Sequence, residues 1–214
     1  MNCLVVAATP IEIAPLIDKL PRGINKKVEI DILISGIGLL ATTYSLQKQI
    51  HIKRPDLIIQ AGVGGCFDKN IALGSVMAIK KDCVADQSVV ELAELKTLFD
   101  LQLVPADQFP YKKGWLVNPL KKLDPLPVRL VTGISVNEIT TDPSRVALYK
   151  KLFSPVMESM EGAALHYIGL MEKIPFLQLR SVSNYIAERN KKNWKLAPAV
   201  TSLNKVLWQV LKQL

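Results

Sequence analysis

The chain has 214 residues, 49% hydrophobic and 21% charged, enough apolar side chain for one full core and too ordered a composition for a disordered polymer. Its formal charge of +8 would suit an anionic partner, but the basic residues are scattered as pairs (Lys26-Lys27, Lys80-Lys81, Lys112-Lys113, Lys121-Lys122, Lys191-Lys192), which argues against nucleic-acid binding. Cys3, Cys66 and Cys83 form no metal spacing and no disulfide framework, and no uncharged apolar run reaches the ~18 residues of a membrane span.

Asn2 to Ala8 is a valine-rich apolar run that predicts a buried first strand. No basic leader precedes it, and with three unpaired cysteines a reducing, cytoplasmic setting is expected. A helix is predicted over Ile11 to Leu20, with Thr9 as N-cap, Pro10 at its first position and Glu12 three residues after the cap. Glu12 thus stands at a strand's carboxyl end, where two readings are open: a capping-box glutamate or a functional carboxylate. Val28 to Ser35 predicts a second strand, followed by Gly36-Ile37-Gly38 and an amphipathic helix from Leu39 to His51. Pro55 to Gln60 predicts a third strand running into a tight glycine turn, Ala61-Gly62-Val63-Gly64-Gly65-Cys66. Strand, helix and strand in this order make a βαβ unit, whose strand ends are where open α/β sheets bind ligands. Neither glycine run is a dinucleotide fingerprint, because Gly36 and Gly38 lack a third glycine and no acid closes a second strand after Gly62.

Gly74 to Asp86 reads as a strand pair or one long strand. From Ser88 to Pro127 periodicity fades and Pro105, Pro110, Pro119, Pro125 and Pro127 intervene, so loops with one short helix near Glu91 to Phe99 are expected. Val128 to Ile134 predicts a strand leading into Ser135-Val136-Asn137, and Ser144 to Leu152 a loop helix. Met157 to His166 reads as the opening of a helix, with Ala163, Ala164, Leu165, Ile168 and Leu170 as its apolar faces. Glu161 falls between Met160 and the small run Gly162-Ala163-Ala164, an interior setting where a carboxylate needs hydrogen-bond donors. It either caps its own helix or meets sugar-like hydroxyls. Ile174 to Ser181 predicts the last strand, ending in Val182-Ser183-Asn184-Tyr185, with Arg180 placed to pair with Glu158 or Glu161. Arg189 to Lys195 is a polar connection, and Pro198 to Leu214 a terminal helix with Leu203, Val206, Leu207, Val210 and Leu211 on one side. Trp194 either walls a pocket or packs beneath that helix. His51 reads as a helix-end residue and His166 as a packed polar group, so the two make no metal site. All 214 residues are expected to form one domain.

Five segments, VVAATPIEIAPL from Val5, SGIG from Ser35, IIQAGVGG from Ile58, SMEGAALHY from Ser159 and RSVSNYIAERNKKNW from Arg180, resemble the nucleoside phosphorylase and nucleosidase superfamily. The likeness spans nearly the whole chain, is weakest from Ser88 to Pro127, and is greatest to the hydrolase branch, in particular the futalosine hydrolases of menaquinone biosynthesis. It implies an α/β single-domain three-layer sandwich with a central mixed, twisted sheet. It also implies roles: Glu12 activates the attacking water, Glu161 binds ribose, and Met160 packs on the sugar with Ser159 beside it. Val63 and Gly64 would line sugar and base, Val136 and Asn137 would contact the base, and Asn184 would grip the purine near N7 and the six-position.

The chemistry explains why such residues are needed. Breaking an N-glycosidic bond builds oxocarbenium character on the ribose and negative charge on the departing purine. One carboxylate can deprotonate water while another holds the ribose hydroxyls and aims the cleavage. Adenosine-type nucleosidases of the superfamily carry aspartate where this chain has Asn184, and a glutamate where it has Ser159. An asparagine amide can donate toward N7 and a six-position carbonyl, so the resemblance implies release of hypoxanthine from futalosine. The alternatives are a methylthioadenosine/S-adenosylhomocysteine nucleosidase, a purine nucleoside phosphorylase, and a non-catalytic nucleoside-binding module. Phosphorolysis is disfavoured because the Thr9-Pro10-Ile11-Glu12 loop offers phosphate an anion and no base. No metal and no organic cofactor is implied, the partner is a small purine nucleoside, and a homodimer or higher homo-oligomer is expected.

Overall fold

The computed structural model describes residues 1–20, 28–120, 128–188 and 190–214. Lys26-Lys27, Lys121-Lys122, Pro125, Pro127 and Arg189 lie outside the described residues.

Strand β1 (Asn2–Ala7) is buried from Cys3 to Ala7, as an apolar run without alternation requires of a strand covered on both faces. It pairs in parallel with β2 (Glu29–Ile34) on one side and β3 (Leu57–Cys66) on the other. Helices α1 (Pro10–Ile17) and α2 (Leu39–Ile52) make the two crossovers. After β4 (Val76–Asp82) come two small hairpins, β5 with β6 (Ser88–Glu91, Glu94–Thr97) and β7 with β8 (Tyr111–Lys112, Trp115–Val117). The first hairpin replaces the helix expected near Glu91 to Phe99. Leu92 and Ala93 hold left-handed φ of 51° and 62° at its two-residue turn, a conformation that reverses a strand and ends a helix.

The remaining elements are β9 (Arg129–Ser135), α3 (Pro143–Phe153), β10 (Met157–Ser159), α4 (Gly162–Met171), β11 (Phe176–Tyr185) and α5 (Leu196–Gln213). Strands β3, β11, β4, β9 and β10 pair in sequence and return to β3, closing a ring of mixed parallel and antiparallel ladders within the larger sheet. On one face Ile13 and Leu16 of α1 and Leu203, Leu207 and Leu211 of α5 pack on Val5, Ile59 and Leu179. On the other, Leu46 and Ile50 of α2 and Leu165 and Ile168 of α4 cover Leu4, Val6, Ile58 and Phe176. The result is the expected three-layer α/β sandwich around a central mixed, twisted sheet.

Two local expectations are corrected. The glycine run is not a turn, because β3 continues through it to Cys66, held by β11 on one side and β10 on the other. Its glycines answer to crowding. A Cβ on Gly62 would meet the Arg180 guanidinium and lie 2.8 Å from Glu12 Oε1, and one on Gly64 would lie 2.7 Å from the Glu158 carbonyl. Likewise Met157 to Ser159 is strand β10, and the helix begins only at Gly162, because Met157 and Glu158 are drawn into the ring between β3 and β9.

Helix α1 carries Pro15, which has no N–H for the helical ladder. The buried Asn204 of α5 inserts its carboxamide at this point, accepting from the Leu16 N–H (3.1 Å) and donating to the Glu12 carbonyl (2.7 Å). The terminal helix therefore ties down the first helix at the turn that carries Glu12.

Candidate active site

The carboxyl ends of β1 and β3, together with β10, β11 and the start of α4, enclose a cavity of about 410 Å³. Thr9 and Pro10 turn the chain so that Glu12 points back toward β3. Its Oε2 accepts from the Thr9 N–H (3.0 Å) and hydroxyl (3.3 Å), and its Oε1 accepts from the Val63 N–H (2.9 Å). The capping-box reading is realised by one oxygen at the helix start, and the other oxygen is pinned to β3 at the cavity wall.

Glu161 occupies the N-cap position of α4, yet its carboxylate makes no bond to that helix. Oε1 accepts from the Gly38 N–H (3.2 Å), and Oε2 pairs with Arg180 Nη1 (3.2 Å). Gly38 presents this N–H at φ 93°, a conformation open to glycine and strained for other residues. Arg180, only 1% exposed, also donates to Gln60 Oε1 (2.8 Å) and takes Glu161 rather than Glu158 as its acid.

Behind Arg180 lies a buried polar relay. With its amide nitrogen toward the acceptors, Gln178 donates to Asp82 Oδ2 (3.2 Å) and His166 Nε2 (2.9 Å), and its oxygen accepts from Arg180 Nε (3.2 Å). His166 Nδ1 then donates to the Leu116 carbonyl (2.9 Å), which makes the ring neutral. Burial lowers the His166 pKa from 6.5 to about 4 and raises that of Asp82 from 3.8 to about 6. The signs oppose each other. Stability linked to His166 is lost as pH falls from 6.5 toward 4, and stability linked to Asp82 is lost as pH rises from 3.8 toward 6. The pair therefore offsets across most of that window. Asp82→Asn removes one side, and urea unfolding of the variant should show stability climbing by roughly 3 kcal/mol more steeply between pH 4 and 6.5 than in the parent. Parallel pH profiles for the two proteins would refute the assignment.

Of the other candidate residues, Val63, Gly64, Ser159, Met160 and Asn184 line the same cavity. Ser159 Oγ is committed to the helix start, accepting from the Gly162 N–H (3.2 Å). Asn184 Oδ1 accepts from the Ser183 hydroxyl (2.8 Å), and one of its two amide hydrogens goes to the Tyr185 carbonyl (3.1 Å). Val136 and Asn137 are not among the residues that line the cavity. Val136 is fully buried in the apolar cluster with Tyr149 and Phe153, and Asn137 faces out, donating to Asp86 Oδ1 (3.2 Å). The segment instead brings Ile139 and Thr140 to the wall. Trp194 lines the cavity as well, its indole N–H on the Glu188 carbonyl (3.0 Å).

Glu158, placed in sequence only as a candidate ion-pair partner of Arg180, faces this cavity too. Its Oε1 accepts from the Thr140 N–H (3.2 Å), and burial raises its carboxyl above the usual glutamate range. The signal available in the sequence was a carboxylate inside the apolar stretch Val156-Met157-Glu158. Among the described lining residues, Glu12, Glu158, Glu161 and Glu188 are acidic and none is lysine or arginine.

The phosphorylase superfamily pattern matches residues 5–212 of the chain. The chain is 26% identical to a 5'-methylthioadenosine/S-adenosylhomocysteine nucleosidase of Maridesulfovibrio salexigens, covering 88% of this chain and 87% of that protein. It is 25% identical to a futalosine hydrolase of Streptomyces coelicolor, covering 81% of this chain and 74% of the relative. Among solved structures it superimposes on the 5'-methylthioadenosine/S-adenosylhomocysteine nucleosidase of Helicobacter pylori with butyl-thio-DADMe-Immucillin-A, with a TM-score of 0.82, 17% identity and coverage of 100% and 99% of the two chains. That likeness is one of fold.

Proposed function

The chain belongs to the phosphorylase superfamily, and from that membership we propose that it hydrolyses the N-glycosidic bond of a purine nucleoside, with water as the attacking group. The observation that carries this reading is the charge of the cavity. Two carboxylates, Glu12 and Glu161, are held in place by backbone N–H groups from distant segments, and no described lining residue is a cation that would hold phosphate. In this reading Glu12 orients and deprotonates water, and Glu161 grips the ribose hydroxyls with Met160 against the sugar. Val63, Gly64 and Ser159 shape the sugar pocket, and Asn184 anchors the base. The exposed apolar side chains of Leu40 and Tyr44 on α2, and of Ile37 at the cavity wall, support a homo-oligomer, a homodimer first.

Two readings of the base have support. The nucleosidase relatives favour methylthioadenosine or S-adenosylhomocysteine, and similarity backs this reading somewhat better. Asn184 favours a 6-oxopurine such as the hypoxanthine of futalosine, since the amide hydrogen not held by the Tyr185 carbonyl can donate to N7 or O6. Purified protein incubated with futalosine, inosine, adenosine and methylthioadenosine, with and without phosphate, should release free base at a phosphate-independent rate. Acceleration by phosphate would make it a phosphorylase, and stable binding without turnover would make it a binding module.

A further inference from the structure

We propose that Gln178 is a positioning residue for sugar recognition: turned one way by Asp82 and His166, its carboxamide locks Arg180, and Arg180 locks the Glu161 carboxylate that meets the ribose hydroxyls. This rests on reading the cavity as a purine nucleoside site. Strand geometry supplies the placement. Alternate residues of a strand share a face, so Gln178 and Arg180 of β11 project together, in register with Gln60 and Gly62 of β3. Gly62 has no side chain, and the guanidinium uses the space, reaching Glu161 with Nη1 and Gln60 with Nη2. The relay touches the backbone beside Glu161 as well. A Cβ on Gly162, the next residue, would meet both the Gln178 carboxamide and Asp82 Oδ2. Gln178 thus stands against the first turn of α4 without being among the residues that line the cavity.

Each link of the relay fixes the donor or acceptor character of the next. The Leu116 carbonyl can only accept, so the His166 proton sits on Nδ1 and Nε2 is left as an acceptor. Asp82 takes the Ser135 hydroxyl on Oδ1 (3.0 Å) and presents Oδ2. These two acceptors claim both amide hydrogens of Gln178, and its oxygen is thereby turned to Arg180 Nε. Turned over, the amide would set a donor against Nε–H and leave two buried acceptors empty, which is strongly disfavoured. Asp82, His166 and Gln178 are all 0% exposed, so solvent offers no substitute for these bonds. With Nε held, the planar guanidinium keeps one orientation and aims Nη1 at Glu161. Glu161 then has Gly38 on one oxygen and Arg180 on the other, and each oxygen retains a lone pair for a sugar hydroxyl. Without Gln178 the guanidinium is held only at its outer nitrogens, and Glu161 loses its fixed aim.

The test takes whichever of inosine and adenosine the parent hydrolyses faster, together with its 2',3'-dideoxy counterpart, which has no hydroxyls for Glu161 to hold. Gln178→Leu should cut kcat/KM for the ribonucleoside by about 10- to 100-fold and leave that for the dideoxynucleoside within about threefold. A loss shared equally by the two substrates would mark a general loosening of the core and overturn the assignment, as would no loss at all. A second measurement needs no variant to fold. Nitrogen-15 NMR of the parent at neutral pH should show His166 with a protonated Nδ1 and a bare Nε2. A protonated Nε2 would face Gln178 with a donor, turn the amide over and overturn the proposal. If the parent releases no base from either nucleoside, the hydrolase reading fails on its own. Calorimetric affinities for the same ribo- and dideoxynucleoside then decide the inference. A preference for the ribose that Gln178→Leu cuts by about 10-fold or more sustains it. A preference left unchanged by the variant, or none in the parent, ends it.

Discussion

Glu12→Gln is expected to slow base release by about 10² to 10⁴ while leaving the protein folded. The side chain is nearly isosteric, and one oxygen remains to accept from either the Val63 or the Thr9 N–H. The amide nitrogen must then face the other N–H, a donor against a donor, so thermal stability should fall by about 1 to 3 kcal/mol. What is lost outright is the ability to take a proton from water as the bond to the base breaks. The Asn204 bond to the Glu12 carbonyl is untouched, so the backbone of α1 stays where it is. Nucleoside affinity measured in the absence of turnover should change little. A variant that releases base at the parental rate would remove Glu12 from the chemistry and with it the proposed mechanism.

Arg180→Met should destabilise the protein by about 3–5 kcal/mol, because it leaves the Glu161 carboxylate buried without its cation. For a chain of this size that corresponds to a fall in Tm of roughly 6–20 °C. The guanidinium also holds Gln60 and, through Nε, Gln178, so three side chains lose a donor together. Adding Glu161→Gln to the variant removes the orphaned charge and should restore part of the loss, a coupling that a double-mutant cycle reads directly. Additive effects of the two substitutions would show that the pair does not act as a unit.

The elements read most accurately from sequence are those whose bonds are local. Helix α1 begins where Thr9, Pro10 and Glu12 place it, and α5 buries the stripe of Leu203, Leu207, Val210 and Leu211 that its period shows. Where pairing is remote, the reading failed. Gly62 to Gly65 lies inside a strand because β10 and β11 bind it from both sides, and a glycine-rich run looks the same in a turn. Leu92 and Ala93 reverse a hairpin in a stretch that otherwise suits a helix. Val136 and Asn137 follow β9, but the chain reaches the cavity only at Ile139 and Thr140.

The amino-acid order by itself determined the alternation of strands and helices, the capped start of α1 and the presence of Glu12 at a strand end. A helix closes its hydrogen bonds within four residues, and a buried strand shows as a continuous apolar run. Only the tertiary structure decided what each buried carboxylate meets. Glu161 is held by Gly38, 123 positions away, and Glu158 reaches the cavity because the ring of strands closes beside Gly65. A charge taken out of water is governed by the donors that the fold delivers to it, and those come from segments with no local signature in the chain.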